Sequence, residues 1–164
     1  MSKYQLAELN VASLKAPLDS PELKDFVDNL DRINALAEAT PGFVWRLKGD
    51  GNDATSLRPL GESIIVNLST WRDVDSLRHY VYKTAHVEIL KRKREWFTRM
   101  ADAYMVLWWV PEGHQPTTAE AVGRLEHLRK YGATAEAFTF GEAFSAPDAK
   151  VAGAPVSFGD TCPA

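Results

Sequence analysis

The sequence predicts an α+β fold with an antiparallel sheet, and two observations carry this prediction. Strand-like and helix-like segments follow in the order strand, helix, strand, strand, helix, strand, and a third helix and a fifth strand come after them. No glycine-rich fingerprint of a parallel nucleotide-binding sheet accompanies these segments. A βαββαβ order of this kind is typical of a ferredoxin-like sandwich, in which the helices cover one face of the sheet.

The composition limits the class of protein. A chain of 164 residues with 45% hydrophobic and 25% charged residues has the size and character of one globular domain. Its net charge of −3 argues against a general nucleic-acid binder, which is usually basic. No stretch approaches the roughly 20 apolar residues of a membrane span, and "MSKYQLAELN" has no signal core. We therefore expect a cytoplasmic protein that binds neither nucleic acid nor membrane.

The first half of the chain predicts two strands around one helix. "YQLAELNVASLK" alternates imperfectly between apolar and polar residues and is predicted to be the first strand. Ser20 is a suitable N-cap for the following helix, Pro21 suits its first position, and Pro41-Gly42 ends it. "FVWRLK" is the second strand, and the turn-forming residues of "GDGNDATSLRPLG" predict a surface loop.

The second half predicts two more strands and two more helices. "ESIIVNLS" is the third strand and "AYMVLWWV" the fourth, and one helix runs between them from about Val74 to about Phe97. Thr117 and Glu120 form a capping box at the start of the third helix, and Gly132 is its C-terminal cap.

The C-terminal region is predicted to contain a last strand and a tail. "AFTFGEAF" has the composition of a strand, whereas the residues from Ser145 onward are rich in Pro, Gly and Ala and have no periodicity. We therefore expect one domain over residues 1–144 and a flexible tail over residues 145–164.

The fourth strand is apolar on both sides, which predicts cover on both faces of the sheet. Its two alternating sets are Tyr104, Val106 and Trp108, and Met105, Leu107 and Trp109. Because the helices of a ferredoxin-like sandwich cover one face only, the other face needs a second subunit or the extra C-terminal strand. One short strand is too little for a whole sheet, so a homodimer is favoured.

Three segments resemble an uncharacterised bacterial family, domain of unknown function 3291. They are "ESIIVNLSTWRDVDSLRHYVYKTAHVEILKRKREWF", "YMVLWWVPEGHQPTTAEAVGRLEHLRKYG" and "AFTFGEAF". The family is placed in the dimeric α+β-barrel superfamily, which resembles antibiotic-biosynthesis monooxygenases. The resemblance implies a homodimer and a pocket inside each subunit, between the sheet and its helices. It implies no single reaction, since the superfamily includes cofactor-independent monooxygenases, haem-binding barrels, isomerases and cyclases.

His86 lies at the edge of the apolar face of the second helix. At about 100° per residue, the buried stripe contains Val74, Leu77, Val81, Ala85 and Ile89. Tyr82 and His86 lie beside this stripe, one turn apart, so that they can touch. A neutral imidazole there can be a proton acceptor, a hydrogen-bond donor or an iron ligand. The alternative is a structural histidine bonded to a backbone carbonyl or to the Tyr82 hydroxyl.

The haem-degrading members of the superfamily carry a histidine on this helix preceded by an aromatic residue. Tyr80 and His86 stand roughly at those positions, although their spacing is shorter and tyrosine replaces tryptophan. The resemblance therefore keeps haem as an alternative to a protein without a cofactor.

Other candidate site residues lie on the strands and turns. Asn67 can point with Ile65 toward a buried face, where its amide would need partners. Large flat side chains suit an aromatic ligand, although tryptophan in a small sheet protein is commonly core or interface. Trp45 and Arg46 are predicted on opposite faces of the second strand. The candidate substrate-binding residues are Trp45, Trp71, Trp96, Trp108 and His114.

The sequence predicts no metal site. His79 and His127 are predicted on helix surfaces, and His114 in a turn, and no pair of histidines has the spacing of metal ligands. Cys162, the single cysteine, can form neither an internal disulfide nor a cysteine-based zinc site.

We therefore expect a small enzyme that acts on an apolar or aromatic molecule by monooxygenase-like or by isomerase- or cyclase-like chemistry. His86 would be its acid or base, and Tyr82 and Asn67 would orient the substrate oxygen. Two alternatives stay open: a haem-binding barrel with a helix-borne histidine ligand, and a non-catalytic ligand-binding or stress-associated dimer.

Overall fold

The computed structural model describes residues 2–149, so Cys162 and most of the predicted tail lie outside the described residues. A 3-10 turn over Pro21–Leu23 precedes the first helix. The elements are β1 (Tyr4–Leu14), α1 (Lys24–Ala39), β2 (Phe43–Arg46), β3 (Ile64–Trp71), α2 (Val74–Lys83), α3 (His86–Trp96), β4 (Phe97–Thr98), β5 (Met105–Pro111) and α4 (Thr118–Tyr131).

The sheet confirms the predicted fold class. β1 is central and pairs antiparallel with β3 on one side and with β5 on the other, and β2 pairs antiparallel with β3. The short β4 pairs with the end of β1, next to β5. The order β2-β3-β1-β5 with α1 and α2 as connections is the ferredoxin-like βαββαβ arrangement.

Local sequence signals fix the start of α2 and both ends of α4. The Asp73 carboxylate accepts the Ser76 backbone N–H at 2.8 Å and caps α2. The Thr117 hydroxyl accepts the Glu120 N–H at 3.1 Å, which confirms the predicted cap of α4. Gly132 ends α4 with a φ of 75°, a conformation that favours glycine. Side-chain caps of this kind satisfy backbone donors that a helix start leaves unpaired.

The prediction of one continuous helix from Val74 to Phe97 is wrong. α2 ends at Lys83 and α3 begins at His86, with Thr84 in an extended conformation between them. The Thr84 hydroxyl donates to the Tyr80 carbonyl at 2.5 Å and lies 3.3 Å from the His86 backbone nitrogen. The Thr84 side chain therefore replaces helical backbone bonds, which is how threonine interrupts helices.

The prediction of a strand at "AFTFGEAF" is also wrong. Two isolated bridges form instead of a strand. Leu107 and Phe138 exchange two backbone hydrogen bonds of 2.8 Å each, and Ala137 pairs with Thr134. Further along, side chains take the carbonyls that a strand would pair. Trp109 Nε1 donates to the Phe144 carbonyl at 2.8 Å, and an Arg78 guanidinium nitrogen donates to the Phe140 carbonyl at 3.1 Å.

β5 is buried on both faces, as its two apolar sets predict, but the cover comes from the same chain. One face packs against α1 and α2 in a cluster of Leu6, Ala37, Trp71, Leu77, Tyr80, Leu107 and Phe138. The other face packs against α4 in a cluster that includes Ala7, Leu9, Val11, Val66, Leu68, Val106, Trp108, Val110, Ala121, Leu125 and Leu128. This face therefore needs no second subunit, and the homodimer stays a prediction.

The boundary of the domain at residue 144 stays a prediction. Just beyond it, the Asp148 carboxylate accepts hydrogen bonds from the Lys3 backbone N–H and the Ser2 hydroxyl, both at 2.7 Å. Residues 150–164, where most of the predicted flexible tail falls, lie outside the described residues. Within the described part of the chain, no helix is long and apolar enough to span a bilayer.

Candidate functional site

A buried carboxylate, Glu8, lies in the middle of the central strand. It is 4% exposed and pairs with Ser69 on β3 and Leu107 on β5. The Asn10 amide donates to its Oε1 at 2.6 Å, and the Ser69 hydroxyl donates to its Oε2 at 3.2 Å. Burial raises the Glu8 pKa to about 7, although both hydrogen bonds act in the opposite direction. Glu8 therefore exchanges a proton near neutral pH.

An aromatic stack continues from the Glu8 carboxylate toward α2. Trp71 Nε1 donates to the Ser69 hydroxyl at 2.9 Å, and the Trp71 ring stacks on Tyr80 with centroids 5.2 Å apart. The Tyr80 hydroxyl donates to the Ile33 carbonyl at 3.3 Å. Burial raises the Tyr80 pKa strongly, and the negative charge of Glu8 raises it further. Tyr80 is therefore a neutral hydrogen-bond donor and not a base.

His86 stands at the far end of this stack, at the first residue of α3. Its ring contacts Tyr80 with centroids 4.7 Å apart, and its Nδ1 lies 3.3 Å from the Val81 carbonyl oxygen. Burial lowers the His86 pKa, so the imidazole is neutral at pH 7. Because a carbonyl only accepts, Nδ1 carries the proton and Nε2 keeps its lone pair.

The predicted contact between His86 and Tyr82 is replaced by the one with Tyr80. Tyr82 is 37% exposed and its ring packs against Phe140 with centroids 5.9 Å apart. The break at Thr84 is the physical reason, because it removes the continuous helical spacing that would place Tyr82 and His86 on adjacent turns. The contact with the Val81 carbonyl matches the structural alternative for His86.

Asn67 is exposed, so its predicted burial with Ile65 is wrong. It shares a face with Ser69 and Glu8, and its register partner is Asn10 on β1. The helices α1 and α2 pack on the Trp71 end of this face, and the cluster there does not include Asn67. Asn10 and the exposed Asn67 are register partners and lie next to Glu8.

Arg46 is a buried cation on the side of the sheet that carries α1. Its Nε donates to Glu38 of α1 at 2.7 Å, and its Nη2 donates to the Asn52 side-chain oxygen at 2.9 Å. Its positive charge opposes the rise of the Tyr80 pKa. Trp45 packs in the cluster under α4, which confirms that Trp45 and Arg46 face opposite sides.

The predicted substrate-binding residues do not gather at one place. Of these residues, Trp71 is linked to Glu8 through the Ser69 hydroxyl, whereas Trp45 and Trp108 lie under α4. Trp96 is buried against Phe26, with ring centroids 5.5 Å apart. His114 is exposed, and its Nε2 lies 3.1 Å from Glu120.

The two remaining histidines lie outside the site. His79 is exposed, as predicted, and His127 is half-buried with its Nε2 3.4 Å from Glu136. Residues 2–149 contain no cluster of three or more His, Cys, Asp or Glu side chains that could hold a metal ion.

Glu8 is the residue that the sequence analysis missed. The available signal was a carboxylate between Leu6 and Asn10 in the first strand of a βαββαβ order. That strand is central in a ferredoxin-like sheet, and a charged residue in a central strand is buried.

Comparisons with known proteins give one family and several solved structures of low identity. The family described as "Domain of unknown function (DUF3291)" matches residues 5–154. Among solved structures, a protein of unknown function from Nitrosomonas europaea, NE2512, is 13% identical, with 70% of this chain and 95% of that chain covered and a TM-score of 0.44.

Two further structures are similar at the same level. SnoaB, a cofactor-independent oxygenase from Streptomyces nogalater, is 16% identical over 70% of this chain and 96% of that chain, with a TM-score of 0.44. A conserved protein from Methanosarcina mazei is 13% identical over 66% of this chain and 93% of that chain, with a TM-score of 0.46. The curated proteins gave no match. Because the family match spans most of the chain and agrees with the resemblance of its motifs, the protein belongs to the DUF3291 family.

Proposed function

We propose that this protein is a small-molecule enzyme that removes a proton from an apolar or aromatic substrate, with Glu8 as the proton acceptor. The observation that carries the proposal is the Glu8 carboxylate, 4% exposed in the central strand and held by Asn10 and Ser69. Its pKa of about 7 matches the value at which a general base works best at neutral pH.

The surroundings of Glu8 suit a substrate of this class. Asn10 and Asn67 stand at the open end of the site, where two amides can orient a substrate oxygen. Trp71 lies on the other side of Ser69, where it is buried between Tyr80 and Phe43 and holds the Ser69 hydroxyl in place. The Ser69 hydroxyl, which accepts from Trp71 and donates to Glu8, fixes the direction of the carboxylate.

The chemistry needs the substrate, this carboxylate and, for the oxygenation, dioxygen. Glu8 takes a proton from an acidic C–H or O–H group, and the substrate keeps the electron pair as an enolate or phenolate. Return of the proton to another atom gives an isomerase- or cyclase-like reaction. Alternatively, the carbanion reduces dioxygen, so that a CH₂ group becomes a carbonyl and the second oxygen atom leaves as water. His86 Nε2 is a second proton acceptor in this proposal.

The test is the exchange of the acidic methylene protons of anthrone in D₂O without oxygen, followed by NMR. We expect the wild-type protein to accelerate the exchange and Glu8→Gln to lose at least a hundredfold. His79→Ala, an exposed change on α2, is the control and should keep the full rate. If folded Glu8→Gln protein exchanged the anthrone protons at the wild-type rate, Glu8 would not be the proton acceptor.

A second candidate function is haem binding, and one observation favours it. The Val81 carbonyl fixes the His86 tautomer with a lone pair on Nε2, which is the arrangement common among metal-ligating histidines. His86 would hold the iron of a haem through Nε2, and a bound haem would supply iron-based oxidation chemistry. The test is haem titration of the purified protein. A Soret band that His86→Ala abolishes and Glu8→Gln keeps would favour haem over the proposal above.

A further inference from the structure

Three buried polar side chains, one on β1 and two on β3, form a hydrogen-bonded chain across the sheet. Trp71 Nε1 lies 2.9 Å from the Ser69 hydroxyl oxygen, and that oxygen lies 3.2 Å from Glu8 Oε2. Trp71 is 1% exposed, Ser69 6% and Glu8 4%. Ser69 and Trp71 are two residues apart in β3, so they face the same side of the sheet as Glu8, the register partner of Ser69. At this burial, bulk water has little access to the two bonds.

The chemistry of the three groups fixes which of them donates and which accepts. An indole nitrogen only donates a hydrogen bond, and an ionised carboxylate only accepts one. The Ser69 hydroxyl therefore accepts from Trp71 and directs its single proton to Glu8. A protonated Glu8 would offer a hydroxyl group to Ser69, where the indole N–H already occupies one acceptor direction of the oxygen. The chain therefore matches the ionised form of Glu8 better than the protonated form.

The residues around Trp71 hold its ring in one orientation. The ring stacks on Tyr80 with centroids 5.2 Å apart and meets the edge of Phe43 at 5.3 Å. Because a ring packed on both sides does not rotate, its N–H group stays directed at Ser69. Donation from the indole also polarises the Ser69 O–H bond, and this strengthens the hydrogen bond from Ser69 to Glu8.

We propose that Trp71 is a positioning residue that acts on Glu8 through Ser69 and favours the ionised carboxylate. This inference rests on the proposed role of Glu8 as a proton acceptor, and it gives Trp71 a role other than contact with the substrate. Burial favours the protonated form of Glu8, whereas the hydrogen bonds from Asn10 and Ser69 lower its pKa. A carboxylate accepts a proton only when it is ionised, so the chain increases the fraction of the protein that is active at neutral pH.

The test measures the pKa of Glu8 directly, by NMR titration of protein labelled with ¹³C at the glutamate side-chain carboxyl carbon. The signal that Glu8→Gln removes is that of Glu8. Ser69→Ala removes one donor and should raise the Glu8 pKa from about 7 to about 8 or higher. Trp71→Phe should raise it by at least about 0.3, because the Ser69 hydroxyl loses its polarising donor and gains a free acceptor direction.

A double variant shows whether Trp71 acts through Ser69. In the Ser69→Ala background the link is absent, so adding Trp71→Phe should leave the Glu8 pKa unchanged. Trp109→Phe is the matched control, because Trp109 packs on the same face and its Nε1 donates to the Phe144 carbonyl at 2.8 Å. It should keep the wild-type pKa of Glu8. No rise in folded Trp71→Phe, or an equal rise with and without Ser69, would overturn the proposal.

A second measurement covers the case in which Trp71→Phe does not fold. In wild-type protein labelled with ¹⁵N, the indole N–H signal of Trp71 should shift with pH at the midpoint of the Glu8 titration. In Ser69→Ala this shift should fall to less than about half, because the hydrogen-bonded link is removed. A wild-type indole signal that does not respond to the titration of Glu8 would overturn the proposal.

Other charged or titratable groups face this region, namely Tyr80 on α2, His86 on α3, Arg46 on β2 and Glu38 on α1. The variants replace none of them, so a difference in the Glu8 pKa between variants reports the chain itself. The measurement also needs no substrate. If the wild type does not exchange anthrone but the pKa values follow the expected pattern, the proposed function is wrong and the role of Trp71 stands. Unchanged pKa values in a protein that exchanges anthrone would overturn this inference alone.

Discussion

The two faces of the central strand differ in how their polar groups are satisfied. On the face toward α1 and α2, Glu8 and Ser69 are buried but linked by hydrogen bonds, and Trp71 joins them through its indole N–H. On the face toward α4, Thr70 and Trp108 are buried among apolar residues without a protein partner. Adjacent residues of the same strands thus occupy very different environments.

This difference indicates where proton chemistry can occur. Glu8 lies beside Asn10, whose register partner Asn67 is exposed to solvent, so a short polar path links the carboxylate with the surface. The α4 face is closed by a helix and a loop, and an unpaired charge among its apolar side chains would be costly. Of the two faces, the one with Glu8 is therefore the one on which a carboxylate can be held.

The largest expected effect comes from moving a carboxylate from one face to the other. Leu9 follows Glu8 in β1 and packs under α4, 2% exposed. Leu9→Glu should cost about 4 kcal/mol or more in the free energy of unfolding, because the new carboxylate is buried without a hydrogen-bond network. Glu8→Leu, the matched control, should cost less than about 2 kcal/mol, since Asn10 can turn to water. Urea unfolding measures both, and equal losses would show that the faces do not differ.

The next largest effect is a dependence of stability on pH that Glu8 causes. Its pKa is about 7 in the folded protein against an ordinary value of 4.5, so folding favours the protonated form. The stability that this provides is complete below pH 4.5 and is lost as the pH rises through 7, on the order of 3 kcal/mol in total. The free energy of unfolding of Glu8→Gln minus that of the wild type should therefore increase between pH 5 and pH 8.

Neighbouring titratable groups do not remove this dependence of stability on pH. The lowered pKa of His86 acts in the opposite direction, because that stability is lost as the pH falls. Arg46 and Tyr80, which also face this region, stay in one charge state through the window. Because His86 is present in both proteins, the difference between them isolates Glu8. Parallel stability curves for the two proteins would contradict the raised pKa.

The sequence predicts the fold well because alternation and caps are local signals. The Thr117 cap of α4 and the strand order both follow from spacing along the chain. The break at Thr84 depends on one hydroxyl competing with backbone bonds, which hydrophobic periodicity does not register. The packing of α4 over the second face of the sheet depends on tertiary contacts of the helix that follows β5. The local sequence pattern does not determine those contacts.

The site was harder to predict than the fold. The size of tryptophan makes it a candidate for binding a flat ligand, yet Trp45 and Trp108 belong to the core under α4. Trp96 packs against Phe26. Glu8 escaped notice because a single charge in an imperfectly alternating strand is ambiguous until the strand is known to be central. Burial gives a carboxylate its chemistry, and burial is a property of the assembled sheet.

A smaller effect distinguishes a bonded buried threonine from an unbonded one. Thr40→Val removes a hydroxyl bonded to the Leu36 carbonyl and should cost about 1 kcal/mol. Thr70→Val removes a hydroxyl without a protein partner and should leave the stability unchanged or raise it slightly, since an apolar group of the same shape replaces an unsatisfied one. Thermal unfolding without added ligand measures both. An equal loss in Thr70→Val would mean that Thr70 has a permanent partner such as a buried water.

The smallest expected effect on stability is that of His86→Ala. The bond from Nδ1 to the Val81 carbonyl is 3.3 Å long, and alanine is well suited to the first turn of α3, so the loss should stay below about 1 kcal/mol. If Nε2 serves the substrate, the same change should weaken turnover or ligand binding at least tenfold, which corresponds to about 1.4 kcal/mol. Paired measurements of unfolding and of ligand affinity separate the two roles, with exposed His79→Ala as the control. A clear loss of stability with unchanged binding would make His86 a structural residue that orders the break between α2 and α3, and would leave Glu8 as the single proton acceptor on this face.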